Sequence, residues 1–269
     1  LVYLTQGADL TVWSKYHKGN AKIVYDFIDS YLAVPKFNLK GSLRGLAKYV
    51  SGQYKYLQLN QWKTIQSMCQ KADAVVCATL EQKKDILPFC SNVHLILDIK
   101  SMYNQVKKDY KAGEIFNLVW EGLPHSINSF REIQPVLSNL KKKHKVALHL
   151  VTALEYYQYM GKYGKRRMVD SVRSLFGFDD IYLYQWNEDT CSHIASACDM
   201  ALVPLNSENL FDWGKPEDKL LIFWLMGLPT VVSGTPAHKR TMEKVGLPMA
   251  CETQQDWINT LERYMRDKS

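Results

Sequence analysis

The residues able to do chemistry gather in a few short stretches. "DWGKPEDK" (212–219) follows the apolar run "DMALVPL" (199–205) and leads into "LLIFWLMG", a strand, loop and helix order with Pro216, Glu217 and Asp218 at the helix start. Such a start offers free N–H groups and the positive end of the dipole to phosphate, and Lys215 and Lys219 would add charge there. In "LVWEGLPHSINSF" (118–130), Gly122 and Leu123 leave a strand where bare backbone can approach a diphosphate, or where an ordinary turn needs a glycine. His125 sits just beyond. "VYDFIDSY" places Asp26 at a strand end and Asp29 three residues on. Carboxylates there can orient a hydroxyl or accept its proton; a structural hydrogen bond and a helix cap are the alternative. "GKYGKRRM" (161–168) carries Lys162, Lys165, Arg166 and Arg167 behind another strand.

The elements that must position these groups alternate between short β-branched or apolar runs and helical patterns, as in a parallel α/β sheet. Strands are predicted at 23–28, 74–79, 93–97, 116–122, 145–151, 181–186, 199–205 and 229–234. In "KPEDKLLIFWLMGLPTVVSG", Gly227 caps a buried helix, Pro229 prevents its continuation and "TVVS" starts a strand. The polar segment 100–114 reads as a linker between two Rossmann-like halves.

At 269 residues the chain can bury a sizeable core in two modest domains. No apolar run reaches the ~18 residues of a spanning helix. Six cysteines without a CxxC pair read as reduced thiols of a cytosolic protein, without structural zinc. The opening "LVYLTQGADL" lacks an initiator Met and a basic leader, and reads as processed or cut from something longer. Net charge is +7, with basic groups in "KSMYNQVKKDYK", "LKKKHK" and "GKYGKRR" that suit phosphate, nucleic acid, an anionic membrane or plain solvent. No Walker-type loop favours a kinase or ATPase, and no nucleic-acid reading motif accompanies the basic runs.

Taken together, these stretches resemble the nucleotide-sugar glycosyltransferases of the GT-B type, particularly the retaining bacterial ones. In those a D-x-x-L-x-P strand end precedes a loop, a K-L-x-E helix, G-x-P-V-V-x-S and a small loop. The counterparts here are "DMALVPL" (199–205), "DKLLIFWLMGLPTVVS" (218–233) and "GTPAHKRTMEKVG" (234–246), with "LVWEGLPHSINSF" upstream and "ADAVVCATLEQKKDIL" (72–87) leading to Thr79. The resemblance covers most of 20–265. One departure stands out. The family's glutamate five residues before the Gly of G-x-P, and its partner acid eight residues earlier, are Ile222 and Gly214 here. Asp218 or Glu217, one helical turn earlier, could compensate.

The resemblance implies an α/β chain of two Rossmann-like lobes with parallel sheets and helices on both faces. Residues 1–110 form an incomplete acceptor-side lobe, 111–255 the donor lobe, and 256–269 a C-terminal helix packing back on both. It implies transfer of a sugar from a nucleoside-diphosphate donor to a glycan or lipid-linked acceptor, with the donor as substrate, no cofactor and no metal. The donor contacts would be Gly122, Leu123, Arg166, Trp186, Lys215, Glu217, Asp218 and Lys219, and the catalytic group Asp26, Asp29 and His125. Lys215, Lys219 and Arg166 would steady the departing diphosphate. A cytoplasmic location with peripheral contact at the inner membrane face, through Lys141, Lys142 and Lys143, goes with it. A non-catalytic GT-B-like binding or assembly subunit is the alternative, favoured by the missing acids. A nucleotide-sugar epimerase would need acids and a histidine that the sequence does not assemble.

Overall fold

In the computed structural model every predicted strand is present, trimmed at its ends except for the one expected at 145–151, which is shifted by one residue to Val146–Thr152. The structure describes residues 1–5, 7–16, 19–36, 39–97, 103–159, 163–206 and 208–266. Contacts divide the chain into unit 1, Leu1–Asp98 with Glu208–Pro216, and unit 2, Ile99–Ser207 with Glu217–Ser269.

Unit 1 is built on four parallel strands in sequence order, β1 (Val2–Leu4), β2 (Ile23–Phe27), β3 (Ala74–Cys77) and β4 (Val93–Leu95). β1, three residues long, was not anticipated. Alternation in β2 buries Ile23, Tyr25 and Phe27, which share a core with Ile65, Met68 and Cys69. Helices α1 (Leu10–Trp13), α2 (Leu39–Val50), α3 (Gln61–Lys71) and α4 (Leu80–Ile86) accompany the sheet. The Asn60 side chain caps α3 and the Thr79 hydroxyl caps α4, each accepting a backbone N–H that the helix cannot use.

Unit 2 opens with β5 (Phe116–Glu121), a 3-10 helix (Pro124–Arg131), α5 (Gln134–Lys143) and β6 (Val146–Thr152). A hairpin of β7 (Glu155–Tyr159) and β8 (Tyr163–Arg167) follows, then α6 (Met168–Leu175), β9 (Ile181–Gln185), α7 (Glu188–Ala197) and β10 (Met200–Val203). The chain next contributes α8 (Leu210–Trp213) to unit 1. It returns with α9 (Asp218–Leu225), β11 (Thr230–Ser233), α10 (Pro236–Val245), β12 (Ala250–Cys251) and α11 (Gln254–Arg266). The parallel sheet runs β12-β11-β10-β5-β6-β9, and its inner strands β10 and β11 are buried on both faces.

α9 ends as its sequence dictates. Gly227 adopts a left-handed φ of 73°, its N–H reaches the Trp224 carbonyl, and the Leu228 N–H reaches Phe223. That is a Schellman closure, which lets the chain turn into β11.

The expected linker is partly laid along unit 2, with 100–102 outside the described residues. Lys107 is buried, its ammonium donating to the Cys198 carbonyl at 2.7 Å and its N–H to Met226 at 2.8 Å, while the Tyr110 hydroxyl donates to Gly227 at 2.9 Å. The unit boundary therefore falls at 98/99, ahead of the expected 110/111. α11 packs on α5, β11 and β12 within unit 2.

Candidate functional site

Ligands of open parallel α/β sheets bind beyond the carboxyl ends of the strands. In unit 2 those ends are Glu121, Thr152, Gln185, Val203, Ser233 and Cys251. Lys219, in the first turn of α9, forms a partly buried ion pair with Glu121 at the end of β5. Tyr103 lies in the same neighbourhood. Burial and then the Glu121 carboxylate hold its hydroxyl well above the usual tyrosine range. Burial, reinforced by Glu121, pushes the Cys191 thiol up to about 12, so it stays protonated.

Three buried side-chain polar atoms among the described residues have no hydrogen-bond partner: Thr152 Oγ1, Thr235 Oγ1 and His238 Nε2. Thr152 ends β6, and the other two lie just past β11. His238 Nδ1 donates to the Ser233 carbonyl at 2.9 Å, which fixes Nε2 as an unprotonated acceptor; burial holds this imidazole down at about 4. Thr235 precedes α10 and its side chain caps nothing. Buried polar groups are nearly always paired, so unpaired ones at strand ends mark where a polar ligand could be received.

The first turn of α9 brings Glu217, Asp218 and Lys219 together. Glu217 Oε1 accepts from the Thr241 hydroxyl at 3.2 Å, tying that turn to α10. Lys215 is in unit 1, where it pairs with Asp212 at 2.5 Å and lies 5.8 Å from the Phe211 ring centre. The two lysines are thus parts of different units. Gly122 is glycine because the indole of Trp120 lies beneath it: a Cβ would come 2.5 Å from Trp120 Cζ2. Leu123 is exposed, and His125 is an exposed residue of the 3-10 helix. Trp186 follows β9, with its N–H on the Thr152 carbonyl at 2.9 Å. Arg166 is not on a loop but on β8, where its Nε donates to Gln158 at 3.1 Å; Lys162 lies outside the described residues. Asp26, on β2, accepts from the Tyr3 hydroxyl at 3.1 Å, and Asp29 from Tyr31 at 3.3 Å. Both belong to unit 1 and His125 to unit 2.

The missing acids have physical explanations. Ile222 is a buried core residue. Gly214 is pressed so closely against Ser30 that a Cβ would overlap the Ser30 hydroxyl and lie 2.7 Å from its Cβ. Its carbonyl accepts from Ser30 Oγ at 2.8 Å, Gln82 Nε2 at 3.2 Å and Thr79 Oγ1 at 3.3 Å. No side chain fits at 214. The sequence showed the acid to be absent; the packing that excludes it joins residues up to 184 positions apart. Glu121, Tyr103, Thr235 and His238 were likewise not anticipated. For Glu121 a signal existed, since it is the acid at the end of a predicted strand.

No family model matches the chain, and no curated protein matches it by sequence. Among solved structures, TarM superposes with a TM-score of 0.63 at 10% identity over 99% of this chain and 47% of TarM. The S. aureus TarM structure with fondaparinux, alpha-GlcNAc-glycerol and UDP gives 0.58 at 12% identity, over 93% of this chain and 45% of that one. The lipopolysaccharide outer core galactosyltransferase WaaB gives 0.50 at 15% identity, over 96% and 70% respectively. The chain therefore spans about half the length of TarM. With its two parallel-sheet units, it has the fold of the GT-B glycosyltransferases.

Proposed function

We propose that the chain is a GT-B glycosyltransferase that holds a nucleoside-diphosphate sugar at the carboxyl end of the unit 2 sheet and passes the sugar to a glycan or lipid-linked acceptor. The observation that carries this reading is the first turn of α9, where Lys219 is held by Glu121 at the positive end of the helix dipole. Catalysis of this kind is positioning plus stabilisation of charge growing on the leaving diphosphate. Lys219 supplies a cation whose partner keeps it oriented, and the N-termini of α9 and α10 supply further positive potential. Glu217 or Asp218, about one helical turn before Ile222, would take the ribose contact that Ile222 cannot make. Gly122, Leu123, Trp186, Arg166 and Lys215 complete the proposed donor contacts, and Asp26, Asp29 and His125 the acceptor chemistry. The donor is a substrate, and the reading includes no cofactor.

A non-catalytic GT-B-like subunit is the second reading, favoured by the closed position at Gly214. Thermal unfolding against UDP, GDP, dTDP, ADP and their sugar conjugates separates the two. A ligand at ~100 times its Kd stabilises by about 2.7 kcal/mol. A shift with one nucleotide, lost in Lys219→Ala while circular dichroism is unchanged, supports a donor site and names the base. No shift with any of them favours the non-catalytic subunit.

A further inference from the structure

The charge of the chain is not spread as its basic runs suggest. Lys141 pairs with Asp180, Lys143 with Glu262, Lys145 with Glu114, Lys165 with Glu155 and Arg167 with Asp170. Residues 30–72, by contrast, contain seven of the 34 basic residues and none of the 27 acidic ones. The whole +7 excess therefore resides in this one stretch of unit 1, and the remainder of the chain is balanced.

At the centre of that stretch α2, "LKGSLRGLAKYV", packs by an unusual face. The Ser42 hydroxyl donates to the Leu59 carbonyl at 2.6 Å, and Gly45 sits so near Gln58 that a Cβ would overlap its carbonyl. Small residues thus make the inward contact, and the apolar side of the helix is turned out. Leu39, Leu43, Leu46 and Val50, spaced four, three and four apart, form one stripe with 42–77% of each residue's surface exposed. Leu59, whose carbonyl holds Ser42, is 52% exposed beside them. Arg44 and Lys48 follow around the helix, and the Lys48 ammonium donates to the Tyr54 hydroxyl at 3.1 Å.

An exposed leucine stripe on a helix whose charged residues are all cations is the pattern of a helix lying in a membrane interface, apolar side in the acyl boundary and basic side among anionic headgroups. We propose that α2 docks unit 1 on an anionic membrane surface. The charge selects the occupant, since residues 30–72 bring seven cations and no acid to unit 1, which complements phospholipid anions and disfavours a second copy of itself. No described helix is long and apolar enough to cross a membrane, so the contact would be peripheral. This inference is independent of the donor-site reading, and its test requires no nucleotide.

Flotation of the whole chain with phosphatidylcholine vesicles, with and without phosphatidylglycerol, is the test. About tenfold or greater preference for the anionic vesicles is expected, weakening as salt rises. Leu43→Ser with Leu46→Ser should abolish binding while leaving the unfolding midpoint in place, because both side chains are exposed. Arg44→Gln should reduce the preference for phosphatidylglycerol. Absence of vesicle binding, equal binding to both vesicle types, or binding unchanged in the leucine variant would overturn the proposal. So would sedimentation as a dimer that the leucine substitutions dissociate.

Discussion

The carboxyl ends of the two parallel sheets are finished in opposite ways. In unit 1 the ends of β2 and β3 lead to Ser30, Thr79 and Gln82, and all three donate to one carbonyl, that of Gly214, supplied by a segment distant in sequence. Gln82 is fully used: its amide also donates to the Ile28 carbonyl, and its oxygen accepts the Ala78 N–H. In unit 2 the corresponding edge keeps buried polar atoms on Thr152, Thr235 and His238 without a partner. The contrast separates a strand end sealed by the protein's own chain from one suited to receive something polar. The same Rossmann-like geometry supports either use, so the fold alone does not say which sheet binds.

Substitution at Gly214 breaks the comparison most severely. Gly214→Glu, which restores the acid expected of the family, places a carboxylate where not even a methyl group fits, and should cost more than about 3 kcal/mol. A fall of at least about 6 °C in the unfolding midpoint is expected; an unchanged midpoint would mean that this end is not sealed as described. The next effect belongs to unit 2. His238 is neutral in the fold, with its pKa held down at about 4, and returns to 6.5 on unfolding. The unfolded chain therefore takes up the proton first as pH falls. Stability is complete above pH 6.5 and declines toward pH 4, by about 3 kcal/mol in all. His149, also held down by burial, acts in the same direction. Urea unfolding across that window should be markedly flatter in His238→Gln, and an equally steep profile would assign the pH dependence elsewhere. The smallest effect sharpens the sealed end: Ser30→Ala removes the shortest of three bonds to one carbonyl and should cost about 1 kcal/mol by urea titration.

Local signals made most of the fold legible. The β-branched runs marked eight strands, and Gly227 with Pro229 marked the end of α9, because period and turn chemistry act over a few residues. β1 and β12, at three and two residues, are too short to show a period. The β7–β8 hairpin was missed because Glu155–Tyr159 and Tyr163–Arg167 are polar and mostly exposed, with no apolar alternation. The site was legible only in part. Lys219 follows from its place at a helix start, whereas its pairing with Glu121, 98 residues away, is made only by folding. Gly214 reads in the sequence as a loss and in the structure as a requirement, since what excludes a side chain is Ser30. The run at 141–145 is hard to read for the same reason: the countercharges of Lys141, Lys143 and Lys145 lie 39, 119 and 31 residues away.

The crossing of segment Glu208–Pro216 into unit 1 also sets an order of events during synthesis. By the time residue 98 has left the ribosome, the four strands of the first sheet are available, yet the acceptor for Ser30, Thr79 and Gln82 has not been made. At ~5–20 residues per second the chain must wait on the order of ten seconds for Gly214. The N-terminal unit is therefore begun first but completed only after most of the second has been made, and during that interval its buried donors depend on water.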